Sequence, residues 1–151
     1  MAQYLSSATR RLNSRMRFLW FLLAGAGGAA ARYGLSTLIG AWVASGRGLG
    51  AGFGPGFPLG TFVINVTGTL LLAFVSTLAL RGVASSEARF IIGTGFCGAF
   101  TTFSTFSWET EALFARGTWF AACIYVGATL IFGLLAVLAG RAAAGAMSGA
   151  L

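Results

Sequence analysis

The chain has 151 residues, of which 57% are hydrophobic and 9% charged, and its net charge of +7 comes from arginine without any lysine. This composition is typical of an integral membrane protein and excludes an ordinary soluble domain. Histidine and aspartate are absent, so acid–base catalysis would depend on three glutamates alone, and we expect no enzyme.

The N-terminal region combines a basic stretch, an apolar stretch and small residues in "TRRLNSRMRFLWFLLAGAGGAAA". A cleaved secretory signal peptide has the same order of features. Apolar residues continue well past Ala31, however, as far as Trp42, which favours a retained first span. We interpret residues 1–17 as a basic, interfacial tail, and membrane lipid is an expected partner of the chain.

Four stretches of the chain are long enough to cross a bilayer core about 30 Å thick, which takes roughly 20 mostly apolar residues. They cover residues 18–43, 60–80, 90–114 and 118–140, and Arg32 is the one charge inside the first. The loop at 44–59 is rich in glycine and holds both prolines, so no regular helix is expected there. We predict an all-α, four-helix membrane domain at 18–142 and a C-terminal tail at 143–151.

The orientation of these spans is weakly specified. Without the tail, three arginines lie on the N-terminal side of the membrane and two on the other, although the tail adds four more to the N-terminal side. Both orientations are therefore conceivable, and with them an antiparallel homodimer. The arginines concerned are Arg10, Arg11, Arg15, Arg17, Arg81, Arg89 and Arg141 on one side, and Arg47 and Arg116 on the other.

Polar residues inside a span are costly and therefore informative. Arg32 must reach a carboxylate, carbonyl oxygens or water, and in each case it attracts anions. On the second span, Asn65 shares a helix face with Gly68, where an asparagine serves either as a link between helices or as a functional residue. On the fourth, Tyr125 and Thr129 form a narrow polar line, although Thr129 could simply bond its own helix.

The third span carries the densest polar pattern, "GFCGAFTTFSTFSWE" at 95–109. Its glycines and the pair Thr101–Thr102 predict a helix broken near its centre, and such a break frees carbonyl groups that need partners. Phe103 and Phe106 lie one turn apart on the same face, where packing in the core or against lipid is the usual role. Cys97 and Cys123 lie within spans without a CxxC pattern, so neither a metal site nor a disulfide is indicated.

Three segments together resemble the Fluc (CrcB) family of small fluoride channels: "GAAARY" at 28–33, "GTFVINVTG" at 60–68 and "GAFTTFSTFSWE" at 98–109. The resemblance covers about residues 18–142. It implies an antiparallel, dual-topology homodimer in a bacterial inner membrane, with two fluoride pores along the subunit interface. It also implies a structural sodium ion at the dimer centre, held by the carbonyls of Gly98 and Thr101, and no organic cofactor.

The resemblance further assigns pore residues. Phe103 and Phe106 match the paired pore phenylalanines, and Asn65 matches the pore asparagine. The remaining matches are the tyrosine Tyr125, the first-helix arginine Arg32, and a polar track of Ser104, Thr105, Glu109 and Thr129.

These residues suggest how fluoride passes. Fluoride is strongly hydrated, so a selective path must replace its water without binding it too tightly. The positive edges of Phe103 and Phe106 and the Asn65 amide are weak, neutral groups suited to this task. The function we expect is passive export of fluoride from the cytoplasm.

Two other functions deserve comparison. A small multidrug exporter also uses four short helices and antiparallel dimers, but it needs a carboxylate in the first span, and residues 18–46 contain no Asp or Glu. A pore without a specific substrate would need no ordered set of asparagine, phenylalanine and hydroxyl positions on three spans.

Overall fold

The computed structural model describes residues 2–45 and 56–149, with side chains from residue 14 onward in the first helix. The side chains of Arg10 and Arg11, the residue Arg47 and most of the predicted 44–59 loop therefore lie outside the described residues. Within the described ranges, every regular element is helical, as the composition predicts.

Five helical elements follow one another. They are α1 (Ala2–Ala44), α2 (Leu59–Leu80), α3 (Ser86–Ala88, continued by Arg89–Cys97 and Gly98–Phe100), α4 (Phe103–Ala115) and α5 (Trp119–Gly149). The predicted interfacial tail and the first span belong to one helix, which runs from Ala2 to Ala44. At the other end, α5 runs beyond Gly140, the last residue of the predicted fourth span.

Three helical stretches among the described residues are long and apolar enough to cross a membrane: Leu59–Leu80, Ser86–Ala115 and Trp119–Gly149. The remaining predicted span, the first one at residues 18–43, lies in α1. Its glycines and Arg32 lower the apolar content of that stretch, which is why length and composition alone do not single it out.

The third span is broken where the sequence predicts it. The backbone leaves the helix at Thr101, with ψ 157°, and stays extended at Thr102, with φ −150° and ψ 116°. The glycines take no part in the break itself, because Gly95 and Gly98 both remain in helical segments of α3. Upstream, Arg89–Cys97 is wound as a π-helix, a rare form that is common near functional sites.

Glycines bring α1 and α3 into close contact. A Cβ at Gly28 would collide with the carbonyl of Phe96, and a Cβ at Gly95 would lie 3.1 Å from the carbonyl oxygen of Phe21. Small residues of this kind let helix backbones approach in a membrane. The second close pairing joins α2 and α5, where a Cβ at Gly140 would meet the Leu70 carbonyl oxygen at 2.5 Å. These two pairings position α4 and the break between them.

Candidate ion pathway

The Asn65 side chain binds the backbone at the break in the third span. Its Oδ1 accepts a hydrogen bond of 2.9 Å from the Thr102 N–H, and its Nδ2 donates to the Thr102 carbonyl at 3.3 Å. The side-chain amide thus satisfies both backbone groups of one extended residue, which would otherwise be unpaired at bilayer depth. Because Nδ2 carries two hydrogens, one N–H of Asn65 remains for another acceptor.

Thr102 connects the break to the start of α4. Its hydroxyl oxygen accepts from the Thr105 N–H at 3.3 Å, as an N-cap residue does. The same hydroxyl donates to Thr105 Oγ1 at 3.0 Å and lies 3.2 Å from Ser104 Oγ. The Thr105 hydroxyl accepts this bond and therefore keeps its own proton for a further partner. The sequence places Thr102 at the break, but its part in the site was not predicted, although a threonine just before a helix is a recognisable N-cap signal.

A cleft of about 230 Å³ opens beside the break, and both predicted pore phenylalanines line it. The Phe103 and Phe106 ring centroids lie 6.0 Å apart, at an interplanar angle of 43°. The two rings differ in exposure: Phe106 packs 5.2 Å from the Tyr125 ring, whereas Phe103 is 80% exposed. The cleft, which we call the phenylalanine cleft, is lined by Asn65, Thr69, Thr101, Thr102, Phe103, Phe106, Thr129, Leu130 and Gly133.

Glu109 lies at a junction of three helices. Thr61 on α2 donates to its Oε1 at 2.9 Å, and Tyr125 on α5 donates to its Oε2 at 2.7 Å. Thr61 and Tyr125 are both buried, and the Tyr125 side chain is fully enclosed. Both contacts join Glu109 to another helix. The carboxylate therefore has a fixed position inside the protein, with one donor for each oxygen.

A second cleft, of about 210 Å³, lies on the α1 side of the break and contains Arg32. Among the described residues, the Arg32 guanidinium has neither an ion-pair nor a hydrogen-bond partner. Five residues with hydroxyl groups line the same cleft, which we call the arginine cleft. The full lining is Ala29, Arg32, Tyr33, Ser36, Thr61, Ile64, Thr102 and Thr105.

Two further residues named from the sequence are Thr129 and Gly68. Thr129 lines the phenylalanine cleft, and its hydroxyl donates to the Tyr125 carbonyl at 2.7 Å, the bond to its own helix that the sequence left open. Gly68 lies against the break, because a Cβ there would collide with the Thr101 methyl group and the Phe100 ring. Gly68 thus allows α2 to contact the break directly.

The carbonyls of Gly98 and Thr101 lose the donors that a continuous helix would provide. The Thr102 N–H, four residues after Gly98, donates to Asn65, and the Thr105 N–H, four residues after Thr101, donates to Thr102 Oγ1. Carbonyl oxygens are ligands of the kind that a hard cation takes. No group of three or more His, Cys, Asp and Glu residues lies together in the described ranges, so a cation here would rely on such oxygens.

The helical fold, the apolar spans and a broken helix beside a polar cleft together define a multi-pass membrane protein with a candidate ion path. The family described as "CrcB-like protein, Camphor Resistance (CrcB)" matches residues 19–141. The chain belongs to this family.

Three relatives of the chain carry the name "Fluoride-specific ion channel FluC". The relative from Acidobacterium capsulatum is 42% identical over 126 residues, which are 83% of this chain and 93% of the relative. The relative from Prosthecochloris aestuarii is 37% identical over 85% of this chain and 94% of its own length. The relative from Thermus thermophilus is 39% identical over 88% of this chain and 97% of its own length. Their names, as channels, bear out the expectation that the chain is not an enzyme.

Proposed function

We propose that the chain is a fluoride-selective channel that lets cytoplasmic fluoride leave the cell passively across a bacterial inner membrane. The observation that carries the proposal is the phenylalanine cleft, which is lined by two phenylalanines and by Asn65, whose amide has one further N–H to donate, without a charged side chain. The names of the relatives supply the identity of the ion.

The donors of the site suit an ion that has to leave again. A guanidinium in direct contact would hold fluoride strongly, whereas a phenylalanine edge carries only the partial positive charge of its quadrupole. Asn65 contributes an N–H whose direction is set by its two bonds to Thr102. Together these groups replace hydration water in small, reversible steps.

The other polar residues extend the path on both sides of the break. Thr105 presents a free hydroxyl proton in the arginine cleft, where Arg32 makes the potential attractive to anions. Ser104 stands at the start of α4 beside Thr102, and Thr129 lines the phenylalanine cleft. Glu109 and Tyr125 form a fixed junction that keeps α4 in register with α5.

We propose that two copies of the chain, inserted in opposite orientations, assemble into a homodimer with two pores. The exposed ring of Phe103 supports this assembly, because a ring that is 80% exposed at the mouth of a polar cleft is open to cover from a second subunit. An antiparallel arrangement would let each pore use rings from both copies.

A sodium ion at the dimer centre is part of the same proposal. Gly98 and Thr101 are the residues that would hold it, because their carbonyls lack helical donors, and two copies would supply four such oxygens. The bound cation would neutralise the partial charge of these carbonyls and so stabilise the break. The chain's own residues, Asn65 and Thr102, set the shape of the break.

Reconstitution tests this function directly. Purified protein in liposomes loaded with potassium fluoride should release fluoride rapidly once an ionophore allows potassium to leave. Liposomes loaded with potassium chloride are the control and should retain their anion. Chloride release as fast as fluoride release, or no fluoride release from well-folded protein, would contradict the proposal.

A further inference from the structure

A third cleft, also of about 210 Å³, lies at the end of the bundle where α4 stops and the chain approaches α2. Arg116 follows the last residue of α4 and is exposed at this cleft, and Glu109 lies earlier in the same helix. We call this space the mouth cleft. Its lining is Gly56, Phe57, Pro58, Trp108, Glu109, Ala112, Leu113 and Arg116.

The position of the Arg116 guanidinium depends on Gly56. A Cβ at Gly56 would come within 2.8 Å of Arg116 Nη1, so any side chain there would displace the guanidinium. Gly56 also has φ +97°, a backbone conformation that other residues rarely adopt. Glycine therefore serves two purposes here: it makes the turn before α2, and it leaves room for a cation at the mouth cleft.

The mouth cleft and the arginine cleft are each lined by one member of a hydrogen-bonded pair. Glu109 lines the first space and Thr61 the second, and the hydrogen bond of 2.9 Å between them separates the two. Each space thus contains one arginine, Arg116 on the outer side of the partition and Arg32 on the inner side. The order of groups from solvent inward is cation, carboxylate with hydroxyl, and cation.

The charge of Arg116 is available to ions that arrive from solution. Within residues 2–45 and 56–149 no carboxylate lies at ion-pair distance from its guanidinium, and Glu109 has both oxygens engaged by Thr61 and Tyr125. A cation at the entrance of a cleft with low-dielectric walls raises the local concentration of anions and their rate of entry. The Glu109 carboxylate lines the same cleft and repels an anion beside Arg116, so the anion does not stay there.

We propose that Arg116, placed by Gly56, collects small inorganic anions at the mouth of the fluoride path. This inference rests on the proposed function, which it deepens by naming the residue that acts on entry. Arg116 attracts fluoride and chloride alike, and the selection between them belongs to the phenylalanine cleft. Arg116 raises the rate at which anions reach the cleft, and this effect depends on how far the electric field of the guanidinium extends into the solution.

The test is fluoride flux through reconstituted Arg116→Gln, compared at two ionic strengths set with an impermeant anion. At roughly 0.01 M the field of a charge extends about 30 Å, whereas at roughly 1 M it extends about 3 Å. We expect the variant to lose about threefold in flux at the lower ionic strength, the effect of one charge roughly 6 Å away in water. At the higher ionic strength the variant and the unaltered protein should agree.

Three further variants complete the experiment. Arg116→Lys keeps the charge and should retain the low-salt flux. Arg141→Gln removes an exposed charge that lines none of the three clefts and should lower the flux less than Arg116→Gln does. Gly56→Ala alone should lower the flux. Added to Arg116→Gln it should have little further effect, because Gly56 acts on anion entry through the position of the Arg116 guanidinium.

The outcomes separate the two proposals. Absence of fluoride flux in the unaltered protein would overturn the channel function and the collecting role together. Normal flux that Arg116→Gln leaves unchanged at roughly 0.01 M would overturn the collecting role alone. An equal loss at both ionic strengths would also overturn it, since that pattern indicates a structural role for Arg116.

Discussion

Before the break, α3 packs against α1 through glycines, with Gly28 and Gly95 at the closest points. Beyond the break, α4 is tied to α2 and α5 by hydrogen bonds of Glu109 with Thr61 and Tyr125. One span is thus held by shape in its first half and by polar contacts in its second. Substitutions in the first half should change the amount of folded protein, and substitutions in the second should change the passage of ions.

The largest effect is expected from Gly28→Val, which tests the half held by shape. The new side chain would collide with the Phe96 carbonyl, and overpacking of this kind costs about 3 kcal/mol. We expect little monodisperse protein after extraction in detergent, measured by size-exclusion chromatography. Gly34→Val is the matched control, because nothing lies within 4 Å of a Cβ at that position of the same helix. Equal yields of the two variants would contradict close packing between α1 and α3.

Asn65→Asp should have the next largest effect, on conduction. The substitution removes the Nδ2 donor to the Thr102 carbonyl and places a negative charge beside the anion path. Repulsion of an anion about 4 Å away amounts to roughly 4 kcal/mol near a protein surface. We expect fluoride flux in liposomes to fall at least about tenfold, since each 1.4 kcal/mol is a factor of ten. Ser86→Asp adds the same charge at an exposed position outside the clefts and is the control. Unchanged flux in Asn65→Asp would remove Asn65 from the path.

Phe106→Ile should slow fluoride several-fold while the protein keeps its assembly. Isoleucine fills much of the space but lacks the ring edge that we propose for anion contact. Fluoride efflux from liposomes measures the loss, and light scattering checks the oligomer. The control is Phe120→Ile, the same change at an exposed position of α5 that lines no cleft. If both variants conduct like the unaltered protein, the proposed edge contact is wrong.

Thr129→Val should have the smallest effect. Its hydroxyl bonds the Tyr125 carbonyl of its own helix, and loss of one such bond costs about 1 kcal/mol. We expect a fluoride flux within about twofold of the unaltered protein. Thr105→Val makes the informative comparison, because that hydroxyl keeps a free proton in the arginine cleft. A larger loss in Thr129→Val than in Thr105→Val would reverse our assignment of the free donors.

The comparison also shows which features the sequence can predict. Helical spans and the break follow from local properties, namely apolar length and the run of hydroxyl residues at Thr101 and Thr102. The junction at Glu109 does not, because Thr61 and Tyr125 are 48 and 16 residues away in the chain. Which side chains meet across helices depends on how each helix is rotated, and the weak periodicity of membrane helices leaves that rotation open.

The same reasoning explains the aromatic pair. Phe103 and Phe106 share a face by spacing, so the sequence predicts that they act together. Their unequal exposure depends on Tyr125, which packs against Phe106 and leaves Phe103 uncovered. A residue on another helix thus decides which of two equivalent rings is fixed within one chain.

The π-helical segment Arg89–Cys97 has a consequence for the tolerance of this span to changes in length. A π-helical turn accommodates more residues than an α-helical turn, so the segment sets the angle at which the chain enters the break. Deletion of one residue would remove the extra residue that such a turn holds, so the segment would rewind as an α-helix with little rotation of α4. The length of this segment is therefore more open to change than the length of the α-helical spans around it.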